Sequence, residues 1–198
     1  MSSRLLLAGV LVILFWSGIG PYDRFLWLQE VAPVLIGIPI LVATRHTFPL
    51  TPIACSLTAF FMAILVVGGH YSYARVPIGF AFQEAFDLSR NHYDRFGHFF
   101  QGVIPAVLVR ELLLRKTPLR PGGWLFFLVL CVPLAVSASY ELLEWLTSVL
   151  QDGAADFLGS QGDIWDAQWD MFLALQGALL FQILLGRVHD RQLARLRT

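Results

Sequence analysis

Apolar residues run along this chain in long blocks separated by short polar stretches. About 20 consecutive apolar residues in a helix cross the roughly 30 Å of bilayer hydrocarbon, and blocks of this kind are the primary signal for membrane spans. Six spans are predicted, near Leu5 to Ile19, Leu26 to Ala43, Leu50 to Val67, Asp94 to Leu114, Trp124 to Leu146 and Trp165 to Leu185. They nearly exhaust the 198 residues, so the expected fold is all-α: a polytopic transmembrane helical bundle forming one integral membrane domain. Pro33, Pro39, Pro105 and Pro133 fall inside spans, where membrane helices tolerate a kink once neighbours satisfy the freed carbonyls. The first block has two readings. Arg4 ahead of a short apolar run ending in Ser17-Gly18-Ile19-Gly20 would suit a cleaved signal, whereas the hydrophobic segment that follows within a few residues favours an anchoring span.

Composition agrees with this pattern. Hydrophobic residues make up 57% of the chain and charged residues 14%, against roughly a quarter charged in soluble domains, which excludes disorder and an ordinary soluble enzyme. Cys55 and Cys131 lie alone in apolar runs and read as packed thiols, not as a disulfide or a thiolate metal site. Fourteen basic residues balance fourteen acidic ones, so net charge gives no sign of a nucleic-acid partner. Their distribution is uneven. The flanks on the side of the termini carry Arg4, Arg45, Arg110, Arg115, Lys116, Arg120, Arg187, Arg191, Arg195 and Arg197 against Glu111 and Asp190, while the opposite flanks carry Arg24, Arg75, Arg90 and Arg95 against all the other acids. Basic flanks stay on the cytoplasmic side, so both termini are expected there. The basic tail from Arg187 to Arg197 is a topology signal on a solvated end or a lipid- or partner-binding helix.

The acidic side carries the candidate chemistry. Asp94, His98 and Gln101 recur at i, i+4 and i+7 where the fourth span begins. Ser137, Glu141 and Glu144 repeat that spacing in the fifth span, and Asp163, Asp166 and Asp170 run into the sixth with Gln168 beside them. A carboxylate inside a membrane helix costs about 3 kcal/mol on insertion scales and is seldom left facing lipid, so the three stripes should face one another. That many carboxyls cannot all ionise together. Either some keep protons or a divalent ion sits among them, and oxygen-rich ligands with imidazole suit Zn, Mn, Fe or Mg. Candidate metal ligands are His92, Asp94, His98, Glu141, Glu144, Asp163, Asp166 and Asp170. Arg90 and Arg95 are the alternative counter-ions, or hold an anionic substrate group with Gln101 and Gln168. Asp163 and Asp166 also suit the cap and first turn of a helix, which does not explain Glu144, His98 and Asp170 deeper in apolar helices. Between the third and fourth spans, residues 68–93 are too long for a hairpin. Ile78, Phe82 and Phe86 alternate there with Glu84 and Asp87 as in a short interfacial amphipathic helix.

The order His92-Tyr93-Asp94-Arg95-x-x-His98-Phe99, Glu141-x-x-Glu144-Trp145 and Gly162-Asp163-x-Trp165-Asp166-x-Gln168-x-Asp170-Met171 resembles the YjdF-type bacterial inner membrane proteins, over about Leu26 to Leu185. The resemblance implies an inner membrane location and brings no reaction with it. The Asp94-basic-x-x-His98 element, the acidic pair on the next span and Asp170 ahead of Gly177 are more remotely similar to the VanZ-like proteins of glycopeptide resistance, although Gln176 stands where that pattern has Asn.

Two functions are compatible with these residues. One is metal-assisted or acid/base hydrolysis or transfer on a lipid or lipid-linked substrate from the extracytoplasmic face, with Asp94, His98, Glu141, Glu144, Asp166 and Asp170 sharing ligation and proton transfer. The other is a non-enzymatic ion or proton pathway, or an accessory protein that binds through the same pocket. The apolar stretch between Gln101 and Arg110 argues against a pathway.

Overall fold

The computed structural model describes residues 3–150 and 160–196, which leaves Arg197 of the basic tail outside the described residues. Six apolar helices alternate in direction: α1 (Ser3–Ser17), α2 (Arg24–Thr44), α3 (Pro52–Tyr71), α5 (Tyr93–Lys116), α6 (Gly123–Leu150) and α7 (Asp166–Leu180). The short helix α4 (Pro77–Ala85) lies between α3 and α5, and a π-turn over Phe181–Leu185 carries α7 on into α8 (Gly186–Arg195). Local chemistry sets the helix starts. The Asp23 carboxylate accepts from the amides of Phe25 and Leu26 to open α2, and Thr51 followed by Pro52 opens α3. All four span prolines sit within continuous helix.

Five helices, counting α7 through α8 as one, have the length and composition to cross a membrane. The remaining span has the expected 15 residues but is set two residues earlier in the chain: α1 runs Ser3–Ser17, about 22 Å at ~1.5 Å per residue. It stops at Ser17 because Gly20 turns the chain in the left-handed region at φ 64°. It still runs beside α3, with the Trp16 ring 4.4 Å from that of His70 and the Trp27 indole donating to Ser17 Oγ at 3.0 Å.

Two apolar clusters build the interior. One joins Val10 of α1, Val31 and Val34 of α2 and Met62 and Leu65 of α3. The other joins Val103 and Val107 of α5, Val129 of α6, Ala178 of α7 and Leu193 of α8. The α5–α7 seam is the closest in the bundle: a Cβ on Gly102 would lie 1.8 Å from the Ala174 carbonyl oxygen, and one on Gly177 would lie 2.0 Å from that of Phe99. Membrane helices gain little from excluding lipid tails, so close backbone approach through small residues takes over as the source of packing energy. Large apolar side chains such as Phe15, Ile36, Phe127 and Leu142 face outward, as a lipid-solvated surface requires.

In the long connection Ile78, Phe82 and Phe86 are exposed on and just beyond α4, and Glu84 and Asp87 are exposed as well. Asn91 fastens this helix to the bundle: its Nδ2 donates to the Val76 carbonyl and its Oδ1 accepts from the Tyr93 amide, both at 3.0 Å. At the opposite end the basic tail is a docked helix. His189 and Leu193 are buried while Arg187 and Arg191 face outward. Gln192 accepts from the amide of Ile53 at 2.8 Å, so the described start of α1 and the end of α8 lie at the same end of the bundle as the α2–α3 and α5–α6 connections.

Candidate functional site

Helical periodicity carries the polar side chains inward from three helices. Asp94, His98 and Gln101 on α5, Ser137 and Glu144 on α6, and Asp166 and Asp170 on α7 are all buried at the end of the bundle away from the chain termini. His98 is the centre. Its Nε2 lies 3.6 Å from Asp94 Oδ1 and its Nδ1 lies 3.6 Å from Glu141 Oε1, too far for hydrogen bonds and close enough for a shared ligand. Two groups form around it, Asp94–His98–Asp170 and His98–Glu141–Glu144, each with its ligand atoms within 4.8 Å of one another. His98 Nδ1, Glu141 Oε1, Asp170 Oδ1 and Ser137 Oγ are buried without a hydrogen-bond partner. Native interiors seldom leave such atoms unsatisfied, and Glu141 and Asp170 both stand beside the His98 imidazole.

Other expected ligands are engaged elsewhere. Arg90 donates to Asp166 at 2.6 Å and lies 3.6 Å from Asp163. Arg95 pairs with Asp163 and stacks over Trp169 at 5.5 Å. Asp163 Oδ1 also accepts from the Trp165 amide at 2.9 Å, the turn-capping role its position allowed. Asp163 and Asp166 therefore neutralise two arginines, and among the described residues neither joins the His98 groups. Gln168 is exposed: two residues beyond Asp166 is about 200° around the helix, on the far side from Asp166 and Asp170. His92 stands half-exposed just before α5, outside both groups. Burial first, then the charges of Arg95 and Arg90, hold its imidazole below the ordinary histidine range. The unfolded chain takes up this proton more readily, so its stabilising contribution fades as pH falls through about 6.5. NMR titration is expected to place the His92 midpoint below that value, and Arg95→Gln should move it upward.

The structure adds three residues to the site. Glu30 of α2 is buried and accepts from the Tyr140 hydroxyl at 2.8 Å, and Tyr73 lines the same space. Glu30 had a visible signal, since it is the only charged residue between Leu26 and Ala43. Tyr140 shares the helical face of Ser137 and Glu144 at i+3 and i−4. Together with Asp94, His98, Gln101 and Glu144 these side chains cap a cavity of about 340 Å³ that continues between α2, α3, α5 and α6 with apolar walls.

A multi-pass helical bundle with a buried acidic and histidine cluster at one end defines the class, and the comparisons give it a family. The family model described as "Predicted membrane protein (DUF2238)" matches residues 2–191, and the chain belongs to that family. It is 51% identical over 185 residues to the inner membrane protein YjdF of Escherichia coli (strain K12), covering 93% of this chain and 88% of the relative. The chain is thus a multi-pass protein of the bacterial inner membrane. No solved structure matches it.

Proposed function

We propose that this protein uses a divalent metal ion, of the Zn, Mn, Fe or Mg type, to hydrolyse or transfer a group on a lipid or lipid-linked substrate. The supporting observation is the set of buried, unsatisfied atoms around one imidazole: His98 Nδ1, Glu141 Oε1 and Asp170 Oδ1. One imidazole among carboxylate oxygens is the donor set of a hard or borderline divalent cation. Held by these residues, such an ion would supply a polarised water, and one of the neighbouring carboxylates, Glu141 or Glu144, would take its proton. Because Arg90 and Arg95 are paired with Asp166 and Asp163, the ion would supply the positive charge facing an anionic head group. The excess of basic residues at the opposite flanks supports an extracytoplasmic position for the site. A transmembrane ion pathway fits less well, because α5 carries no polar side chain between Gln101 and Arg110.

Calorimetric titration of the purified, chelator-treated protein with Zn or Mn tests this proposal. One ion per chain is expected, weakened roughly 100-fold or more by His98→Ala, in line with removal of a ligand, and unchanged by Gln168→Ala. Wild-type protein that binds no ion would overturn it.

A further inference from the structure

We propose, building on the reading above for the fate of the head group alone, that the cavity between α2, α3, α5 and α6 receives one apolar chain of a membrane amphiphile, which slides in sideways between α2 and α6. The cavity is segregated by depth. Glu30, Asp94, His98, Tyr140 and Glu144 line one end, whereas Ile40, Leu41, Phe61 and Leu108 line the other, where Thr58 adds one hydroxyl. From Glu30 to Leu41 is eleven residues of helix, about 16 Å at ~1.5 Å per residue, or roughly half the ~30 Å hydrocarbon thickness. A pocket as deep as one leaflet, polar at the interface and apolar towards the bilayer centre, is complementary to an amphiphile standing in that leaflet. Its volume of about 340 Å³ is at the small end for ligand pockets, so one chain fits inside and any second chain stays in the bilayer.

The lateral opening is visible in the rim. α2 and α6 are not packed along their lengths. Hydrogen bonds join them at the polar end, from Tyr140 to Glu30 at 2.8 Å and from Gln29 to Thr147 at 3.0 Å. Farther along, Ile40 of α2 and Val136 of α6 both line the cavity and are exposed on the outer surface, by 56% and 41%. Residues that face both spaces mark where the cavity meets the surrounding lipid. At that depth the surroundings are hydrocarbon, so whatever fills the apolar end arrives from the bilayer and not from water. The Glu30–Tyr140 bridge then lies across the top of the opening, beside the head group.

A photoreactive probe tests the site: hexadecanol with a mid-chain diazirine, added to the full-length protein in nanodiscs, with adducts mapped by mass spectrometry. Adducts are expected on the cavity walls at Leu41, Phe61 and Leu108. Leu108→Trp fills the apolar end and should cut labelling at Leu41 and Phe61 by about tenfold, equivalent to roughly 1.4 kcal/mol of lost chain burial. Ile40→Trp blocks the rim at an exposed position, so it keeps the test decisive if Leu108→Trp fails to fold. Chelator-treated protein should label like the wild type, so failure of the metal centre leaves this result intact. Adducts confined to the outer faces of the helices, or cavity labelling undiminished by both tryptophan variants, would overturn the proposal.

Discussion

Gly102→Val is expected to destabilise the purified protein by about 3 kcal/mol, the upper range for forcing extra volume into a packed seam. A Cβ there would stand 1.8 Å from the Ala174 carbonyl oxygen, which is backbone and has no rotamer in which to retreat. The helices must therefore separate. Separation breaks the reciprocal contact at Gly177, whose Cβ position is 2.0 Å from the Phe99 carbonyl oxygen, so the two glycines form one interlock. Because they act on one seam, a Gly102→Val, Gly177→Val double variant should cost less than the sum of the singles. Gly9→Ala is the control, since nothing lies within 4 Å of its Cβ position and it should be nearly neutral. Denaturation in mixed micelles, followed by far-UV circular dichroism, reads all four. The seam also holds the site. Asp94 and His98 come from α5 and Asp170 from α7, so the metal binding proposed above should weaken in Gly102→Val together with the helix contact.

Much of this arrangement was legible in the sequence, for a physical reason. A bilayer enforces helical periodicity, so Asp94, His98 and Gln101 had to share a face, as did Ser137 and Glu144, and burial follows from the cost of leaving them in lipid. The same cost should have flagged Glu30, a lone carboxylate in an otherwise apolar span. The assignment of Asp163 and Asp166 could not be made from spacing. Arg90 and Arg95 are near the site in sequence, and only the fold of the loops decides which carboxylates they neutralise. Gln161 is an instance: its amide nitrogen donates to the Asn91 carbonyl and its oxygen accepts from the Asn91 amide, drawing two loops 70 residues apart against each other. Gln168 shows the opposite error, because proximity in sequence to Asp166 and Asp170 is distance on a helix. The end of α1 falls at Ser17, two residues before the expected Ile19, because hydropathy does not register the turn that Gly20 introduces.

Glu111→Ala is expected to cost about 3–5 kcal/mol, the range for breaking a buried ion pair by removing one partner. Flank charges near a span end ordinarily read as solvated topology signals, yet Glu111 and His189 are fully buried at the end of the bundle opposite the site. Glu111 Oε1 accepts from both the amide and the hydroxyl of Thr51 and lies 3.2 Å from His189 Nε2, while Oε2 accepts from Arg115 at 3.0 Å. Arg110 donates to His189 Nδ1 at 2.9 Å and to Asp190 at 2.7 Å. Guanidinium has no acceptor, so His189 Nδ1 must accept and Nε2 is left as the donor to Glu111. Two arginines and two carboxylates thus close a balanced network that ties α8 to α5 and to the start of α3. Removing the carboxylate strands the buried Thr51 amide and the His189 donor without water at hand, while the partly exposed Arg115 keeps its bond to the Pro49 carbonyl at 2.7 Å. Glu111→Gln keeps an acceptor for Thr51 and should cost less than half as much, which separates loss of charge from loss of hydrogen bonding. Hydrogen exchange gives the local measure: in Glu111→Ala the amides of residues 186–195 should exchange faster than those of α5, because α8 detaches first. If α8 stayed as protected as in the wild type, the network would not be what holds it.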